Sequence, residues 1–311
     1  MRVFLGVPQQ AATPTVLTIG NFDGVHLGHQ TMLRQLRAKA DALGLPAAVL
    51  TFEPHPRELF APDQAPARLT SLREKLALLE ACGVDQTYLF RFDRKHAAMS
   101  AEEFIEQVLI GGLNVKHLIV GDDFCFGKGR RGNFAMLQEF GARHGFTVEA
   151  LHTVEAGGLR ASSSAVREAL AKGDLEHAAV LLGRPYAIAG RVVHGDKIGR
   201  TIGFPTANVQ LKRKRVPMKG VYAVTVSGLD KRQLAGAANI GVRPTVAGGL
   251  KPVLEVHLLD FSQDVYGAHL SVHFRHRLRD ELKFDSFDAL KRQIALDVQA
   301  TQDYFSGEQH G

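Results

Sequence analysis

The chain has 311 residues, 45% of them hydrophobic and 23% charged, a globular balance with room for about two domains. Apolar runs such as Ala47–Leu50 and Leu118–Val120 are far too short to cross a bilayer, and two cysteines, Cys82 and Cys125, exclude a disulfide framework or a four-cysteine zinc site. The net charge of +6 lies wholly in the last part: residues 1–185 carry 20 basic and 20 acidic side chains, residues 186–311 carry 18 and 12. A mildly basic half suits a small anion such as a nucleotide, and without Trp or a basic stretch interleaved with aromatics no nucleic-acid platform is indicated. The start of the chain shows no secretory signal pattern, and with so few cysteines a reducing, cytoplasmic setting is expected; no membrane and no obligatory protein partner is evident.

From Thr15 to Thr153 two periods alternate. Thr15–Gly20, Ala47–Phe52, Thr87–Phe92, His117–Val120 and Thr147–Thr153 read as strands. Between them, helical spacing runs from about Leu27 to Leu43, then over Leu72–Ala81, Ala101–Leu109 and Phe134–Arg143. Such alternation predicts βαβ units and a parallel sheet covered on both faces. Ser163–Lys172 and Leu175–Leu182 read as two short helices. After Gly183-Arg184-Pro185 the pattern changes to short β-type runs, Ala187–Val193, Val221–Val226, Val253–Leu259 and His269–Phe274, which predict a barrel or sandwich. Phe287, Leu290, Ile294, Val298 and Tyr304 mark one closing amphipathic helix.

The first chemical constellation is Gly20-Asn21-Phe22-Asp23-Gly24-Val25-His26-Leu27-Gly28-His29, where the first strand ends and the first helix opens. Ligands of open parallel sheets bind at the carboxyl ends of the strands, and a helix start with close-approaching glycines attracts phosphate. His26 and His29 lie on one face of the first turn, where imidazole N–H groups can meet charge on a transferring phosphoryl group. Three other readings stand beside it: a metal pair with Asp23, lacking a well-spaced third ligand, two ordinary helix-start histidines, and a plain glycine turn. Neither the Walker A string nor G-x-G-x-x-G is present.

The second constellation spans Gly190 to Gly203, with glycines at 190, 195, 199 and 203 and Lys197 among them. It reads as a loop between strands that can wrap phosphates, or as a set of β-turns. Phe204-Pro205-Thr206-Ala207-Asn208 follows. On an extended strand Thr206 and Asn208 point the same way, and their oxygens suit Mg²⁺ shared with phosphate, although a polar strand face is the simpler reading. Lys212-Arg213-Lys214-Arg215 reads as a solvated charge run.

His26-Leu27-Gly28-His29 resembles the H-x-G-H signature of nucleotidylyltransferases, in the form found in flavin adenylyltransferases. Thr51-Phe52-Glu53-Pro54-His55-Pro56, Gly121-Asp122-Asp123-Phe124-Cys125-Phe126-Gly127 and Ser162-Ser163-Ser164-Ala165-Val166-Arg167 agree with it, and Gly203–Asn208 resembles the P-T-A-N signature of riboflavin kinases. From about Thr15 to the closing helix the chain is similar to the bacterial bifunctional riboflavin kinase/FAD synthetase family.

The resemblance implies a doubly wound, nucleotidylyltransferase-like α/β domain over residues 1–184 and a mainly-β Greek-key barrel with a C-terminal helix over 185–311. It implies that riboflavin is phosphorylated by ATP to FMN in the second domain, and that FMN is adenylylated by ATP to FAD in the first. His26 and His29 would act on the phosphates of the adenylyl donor. Gly20, Asn21, Phe22, Asp23, Gly24, Gly28, Ser163, Ser164 and Arg167 would form that ATP pocket, with Asp123 and Phe124 at the flavin. In the kinase half Glu255 would be the catalytic base. Gly190, Gly195, Lys197, Gly199, Thr206 and Asn208 would hold ATP, Thr206 and Asn208 also Mg²⁺, and Asn239, Arg243 and Arg277 the flavin. Three departures stand out: Cys125 where the family usually has arginine, Ala161 for isoleucine, and Ser164 for threonine.

Overall fold

The computed structural model describes residues 1–195, 203–230, 232–244 and 250–308. The chain divides into two compact units, one of Met1–Pro66 with Lys75–Ser162, the other of Ala67–Glu74 with Ser163 onwards.

The first unit is an all-parallel six-stranded sheet in the order β1(Arg2–Leu5), β4(Gln86–Arg91), β3(Ala47–Glu53), β2(Thr15–Ile19), β5(Val115–Gly121), β6(Thr147–Leu151). Both faces are covered, and side chains are dealt alternately to them. On β3, Ala47 and Val49 join one apolar cluster while Ala48 and Leu50 join the other; on β5, Ile119 faces opposite to Leu118 and Val120. The helix Leu27–Leu43 buries Met32, Leu33, Leu36 and Ala40 at three- and four-residue spacing and stops at left-handed Gly44. The order reverses direction beside β2, whose neighbours are β3 and β5. The crevice beyond the carboxyl ends of β2 and β5 is therefore the expected ligand position.

The first unit also holds elements outside the sequence reading, among them the short helices Pro56–Phe60 and Arg94–Ala97 and an antiparallel ribbon, β7(Glu155–Ala156) with β8(Leu159–Arg160). β1 went unpredicted because it is a four-residue edge strand with Val3 and Leu5 exposed, so it carries no burial pattern. The predicted helix over 101–109 is Ala101–Glu103 in α form followed by a π-helical Phe104–Gly112.

In the second unit β9(Ala187–Val193), β10(Ala207–Val209), β11(Gly220–Ser227), β12(Leu234–Pro244), β13(Leu250–Leu258) and β14(His269–Arg279) close a barrel in the order β10-β13-β12-β11-β14-β9. β11, β12 and β13 follow one another and β14 returns beside β11, which is the Greek-key path. The helix Phe287–Glu308 packs on β11, β12 and β14. Buried Asp297 ties it to the barrel, accepting from Nε and Nη2 of Arg279 at 2.8 and 2.7 Å.

The charge run at 212–215 is not simply solvated. Arg213 is 7% exposed, and its guanidinium donates to the carbonyl of Leu69 (3.0 Å), to the Tyr186 hydroxyl (3.0 Å) and to Glu74 Oε2 (2.6 Å). Glu74 in turn accepts from the Ala189 amide of β9. A charge this deep is tolerated because it is paired and hydrogen-bonded on several sides. The segment Ala67–Glu74 is thereby fastened into the second unit. Among the described residues, no helix is long and apolar enough to cross a membrane.

Candidate active sites

Between β2 and the helix Leu27–Leu43 the chain takes left-handed backbone at Phe22 (φ 49°), Gly24 (φ 83°) and Val25 (φ 42°). Two non-glycine residues in that region cost free energy, and burial of the Phe22 and Val25 side chains, 0% and 1% exposed, offsets it. The strained turn delivers His26 to the helix N-cap, with no side-chain hydrogen bond to the helix start. The first-turn amides and the positive helix end are thus left facing a cavity of about 220 Å³.

That cavity is lined by Gly20, Phe22, His26, Gly28 and His29 from the turn, by Gly121–Phe124 after β5, and by Leu151–Val154 after β6. It occupies the crevice that the strand order specifies. The rings of His26 and His29 stack with centroids 3.7 Å apart, and Phe22 packs on His29 at 4.8 Å. Burial, then the nearby His26 and the Lys75 ammonium, hold the His29 pKa well below the ordinary histidine value. His29 is accordingly neutral near pH 7, with one ring N–H to give. Its Nδ1 is buried without a hydrogen-bond partner in the protein, and His29 lines the cavity, as a polar atom that meets a ligand there would. Gly28 sits in a tight place: a Cβ there would lie 3.1 Å from the Ala161 carbonyl and from the His26 ring, closer than most such contacts.

Of the other first-half positions, Asp123 lines the cavity and accepts from Arg160 at 2.9 Å, and Phe124 lines it while stacking on Phe126 at 5.6 Å. Asn21, Asp23 and Gly24 belong to the turn but not to the cavity wall. Ser163, Ser164 and Arg167 begin the helix Ser163–Lys172, which belongs to the second unit, and Arg167 Nε donates to the Ala67 carbonyl at 2.7 Å. Sequence reasoning missed an aromatic series at the strand ends. Phe52 meets Phe90 and Phe92 edge-on at 6.0 and 5.7 Å, and Phe92 meets Phe60 at 5.7 Å. Three of these, Phe52, Phe90 and Phe92, crowd the ends of β3 and β4, with Phe60 in the short helix that follows β3, and that crowding is the available signal.

In the barrel, register assembles the second site. Asn208 on β10 is paired with Glu255 on β13, Glu255 with Asn239 on β12, Asn239 with Val221 on β11, and Val221 with Arg279 on β14. Residues paired across a sheet project to the same face, so these five form one row. The row lines a cavity of about 270 Å³ together with Thr206, Arg243 and Glu281. Its other wall is apolar: Leu282, Phe284, and Leu290 and Ile294 of the closing helix. Arg243 Nη2 donates to Glu255 Oε2 at 2.7 Å. A second cavity of about 360 Å³ holds Gly195, Pro205, Phe261 and Tyr266, and Thr206 and Asn208 line both.

Some predicted positions fall elsewhere. Gly190 is not in a loop but inside β9, paired with Leu270, where a Cβ would collide with the Gln210 carbonyl; the loop reading is corrected there. Gly195 lies against the Asn208 side chain, which a Cβ would strike. Lys197 and Gly199 lie outside the described residues. Arg277 does not line the cavity; it pairs with Asp280 and rests on Gly173, while Arg279 lines the cavity instead. The cause is a bulge in β14: Arg279 is opposite Val221 and Arg277 opposite Tyr222, so the two arginines take opposite faces.

Comparisons with known proteins fit both sites. The FAD synthetase family model matches residues 8–165 and the riboflavin kinase model residues 182–305. The bifunctional riboflavin kinase/FMN adenylyltransferase of Escherichia coli K12 is 53% identical over 98% of both chains. Its counterpart in Haemophilus influenzae is 55% identical over 93% of this chain and 94% of its own. A crystal structure described as a macrolide-efflux protein from Streptococcus pneumoniae superposes with a TM-score of 0.81 at 31% identity, covering 97% of this chain and 99% of that one. Matched end to end, with both family models in the order of its two sites, the chain belongs to the bifunctional riboflavin kinase/FMN adenylyltransferase family.

Proposed function

We propose that the chain converts riboflavin to FAD in two ATP-dependent steps at two separate cavities, residues 1–184 forming the adenylyltransferase domain and 185–311 the kinase domain. The family models end at 165 and begin at 182, the second starting close to that boundary, while the compact units part at 162/163 and place 67–74 with the barrel. In the kinase step the 5′-hydroxyl of riboflavin attacks the γ-phosphorus of ATP, its proton passes to the Glu255 carboxylate, and ADP leaves. The row Asn208–Glu255–Asn239 carries this reading, because it sets a carboxylate where two cavities meet at Thr206 and Asn208. ATP enters from the side of Gly195 and Tyr266, and the flavin lies along the apolar wall of Leu290 and Ile294. Thr206 Oγ1 and the Asn208 amide oxygen are hard donors suited to Mg²⁺, which would neutralise the polyphosphate when bound. Arg243 shares this end of the cavity and holds the carboxylate in place.

In the adenylyl step a phosphate oxygen of FMN attacks the α-phosphorus of a second ATP and pyrophosphate leaves. FMN phosphate is nucleophilic at neutral pH, so no general base is needed. His29, with His26 stacked on it, donates a ring N–H to the phosphate oxygens as charge builds on them. The Phe52, Phe90 and Phe92 rings continue through Phe104 and Phe126 to Phe124, an aromatic series on which the isoalloxazine would lie. With both cysteines free, the reading includes a cytoplasmic location. Incubation with riboflavin, ATP and Mg²⁺ tests it: FMN should appear first and FAD after it, and formation of neither product would overturn it.

A further inference from the structure

β12 turns three alternate residues, Asn239, Gly241 and Arg243, toward one side, and the first and third line the kinase cavity. Gly241 has no side chain to contribute. The space is taken by Glu281, whose carboxylate rests on the Gly241 backbone so closely that any Cβ there would collide with it. A residue from the loop after β14 thus completes a line of polar groups begun by β12.

Glu281 stands among cations without a bond to any of them. Lys219, Arg243 and Arg279 all act on it electrostatically, yet among the described residues its carboxylate makes no hydrogen bond or ion pair. Partial desolvation at the cavity edge outweighs those three charges and raises its pKa. The side chain is exposed at the rim of the cavity, where both acceptor oxygens stand open to a ligand's hydroxyls.

Its position says which hydroxyls. Gly241 lies two residues along β12 from Asn239, the partner of Glu255, a separation of roughly 7 Å. A five-carbon polyol whose last oxygen meets Glu255 places its inner hydroxyls about that far back, with its ring system continuing to Leu282, Phe284, Leu290 and Ile294. Resting on the kinase reading above, we propose that Glu281 is a specificity-determining residue of the kinase site, its carboxylate accepting hydrogen bonds from the inner hydroxyls of the ribityl chain.

The test uses the full chain and two acceptors, riboflavin and a flavin carrying a 5-hydroxypentyl chain, which keeps the terminal alcohol and lacks the inner hydroxyls. The wild type should prefer riboflavin in kcat/KM, and Glu281→Ala should reduce that preference about tenfold or more, the effect of losing hydrogen bonds to a charged acceptor. Gly241→Ala, which evicts the carboxylate, should reduce it likewise. Added to Glu281→Ala it should reduce it no further. Equal slowing of both acceptors by Glu281→Ala, or an unchanged ratio, overturns the proposal. Glu255→Gln separates the two readings: if it retains full phosphorylation the kinase site itself is misassigned, whereas if it is inactive and the ratio does not move, only the role of Glu281 fails.

Discussion

Glu255 and Arg243 form an ion pair of 2.7 Å inside the kinase cavity, between strands whose register places Glu255 directly beside both Asn208 and Asn239. The base is therefore held by a cation, with an asparagine side chain as its neighbour on each flanking strand. Replacing it with Gln keeps the shape and removes proton acceptance. Glu255→Gln should slow FMN formation by about 10² to 10⁴, the usual worth of a general base. FAD formation from supplied FMN should be unaffected, and separate chromatographic assays with riboflavin and with FMN read the two rates.

His29→Ala should do the reverse. The variant removes the stacked partner of His26 and a donor aimed into the first cavity. Loss of one such donor costs about 10² to 10³ in rate. FMN should accumulate from riboflavin without proceeding to FAD.

The pH response of stability follows from the lowered pKa of His29. The unfolded chain binds a proton there near pH 6.5 and the folded chain only at a lower pH. Folding thus releases a proton in that interval, and this contribution is complete above about pH 6.5 and is lost as pH falls toward the lowered value. Urea midpoints between pH 8 and pH 5 should fall less steeply for His29→Gln than for the wild type. Parallel curves would show that the ring is not desolvated.

Gly195→Ala should damage the kinase through Asn208 alone. A methyl group at 195 strikes the Asn208 side chain, so the amide must leave its place beside Thr206. The KM for ATP should rise, while adenylyl transfer and the melting temperature stay near wild type.

Arg213→Met should destabilise the second unit. It leaves Glu74, at 11% side-chain exposure, without its cation. Breaking a buried pair from one side costs about 3–5 kcal/mol. Thermal unfolding followed by fluorescence of bound flavin should show an earlier transition.

The layered half of the fold was legible because burial on both faces of β2, β3 and β5 wrote itself into continuous apolar runs separated by helical spacing. The turn at Gly20–His29 was legible for the same reason: its glycines and histidines sit within ten residues. The kinase row was not, since Asn208, Asn239 and Glu255 are neighbours only through strand register, which no local pattern encodes. The exchange of Arg277 for Arg279 came from a bulge, one inserted residue that reverses facing. Arg213 looked solvated because its counter-charge lies 139 residues earlier.

The lodging of Ala67–Glu74 in the second unit has a practical outcome. No single scissor stroke yields two intact halves: a fragment beginning at Ser163 forfeits an octapeptide, and with it the carboxylate that Arg213 was folded around. Anyone wishing to study phosphorylation in isolation would do better to silence the other cavity by substitution than to amputate it.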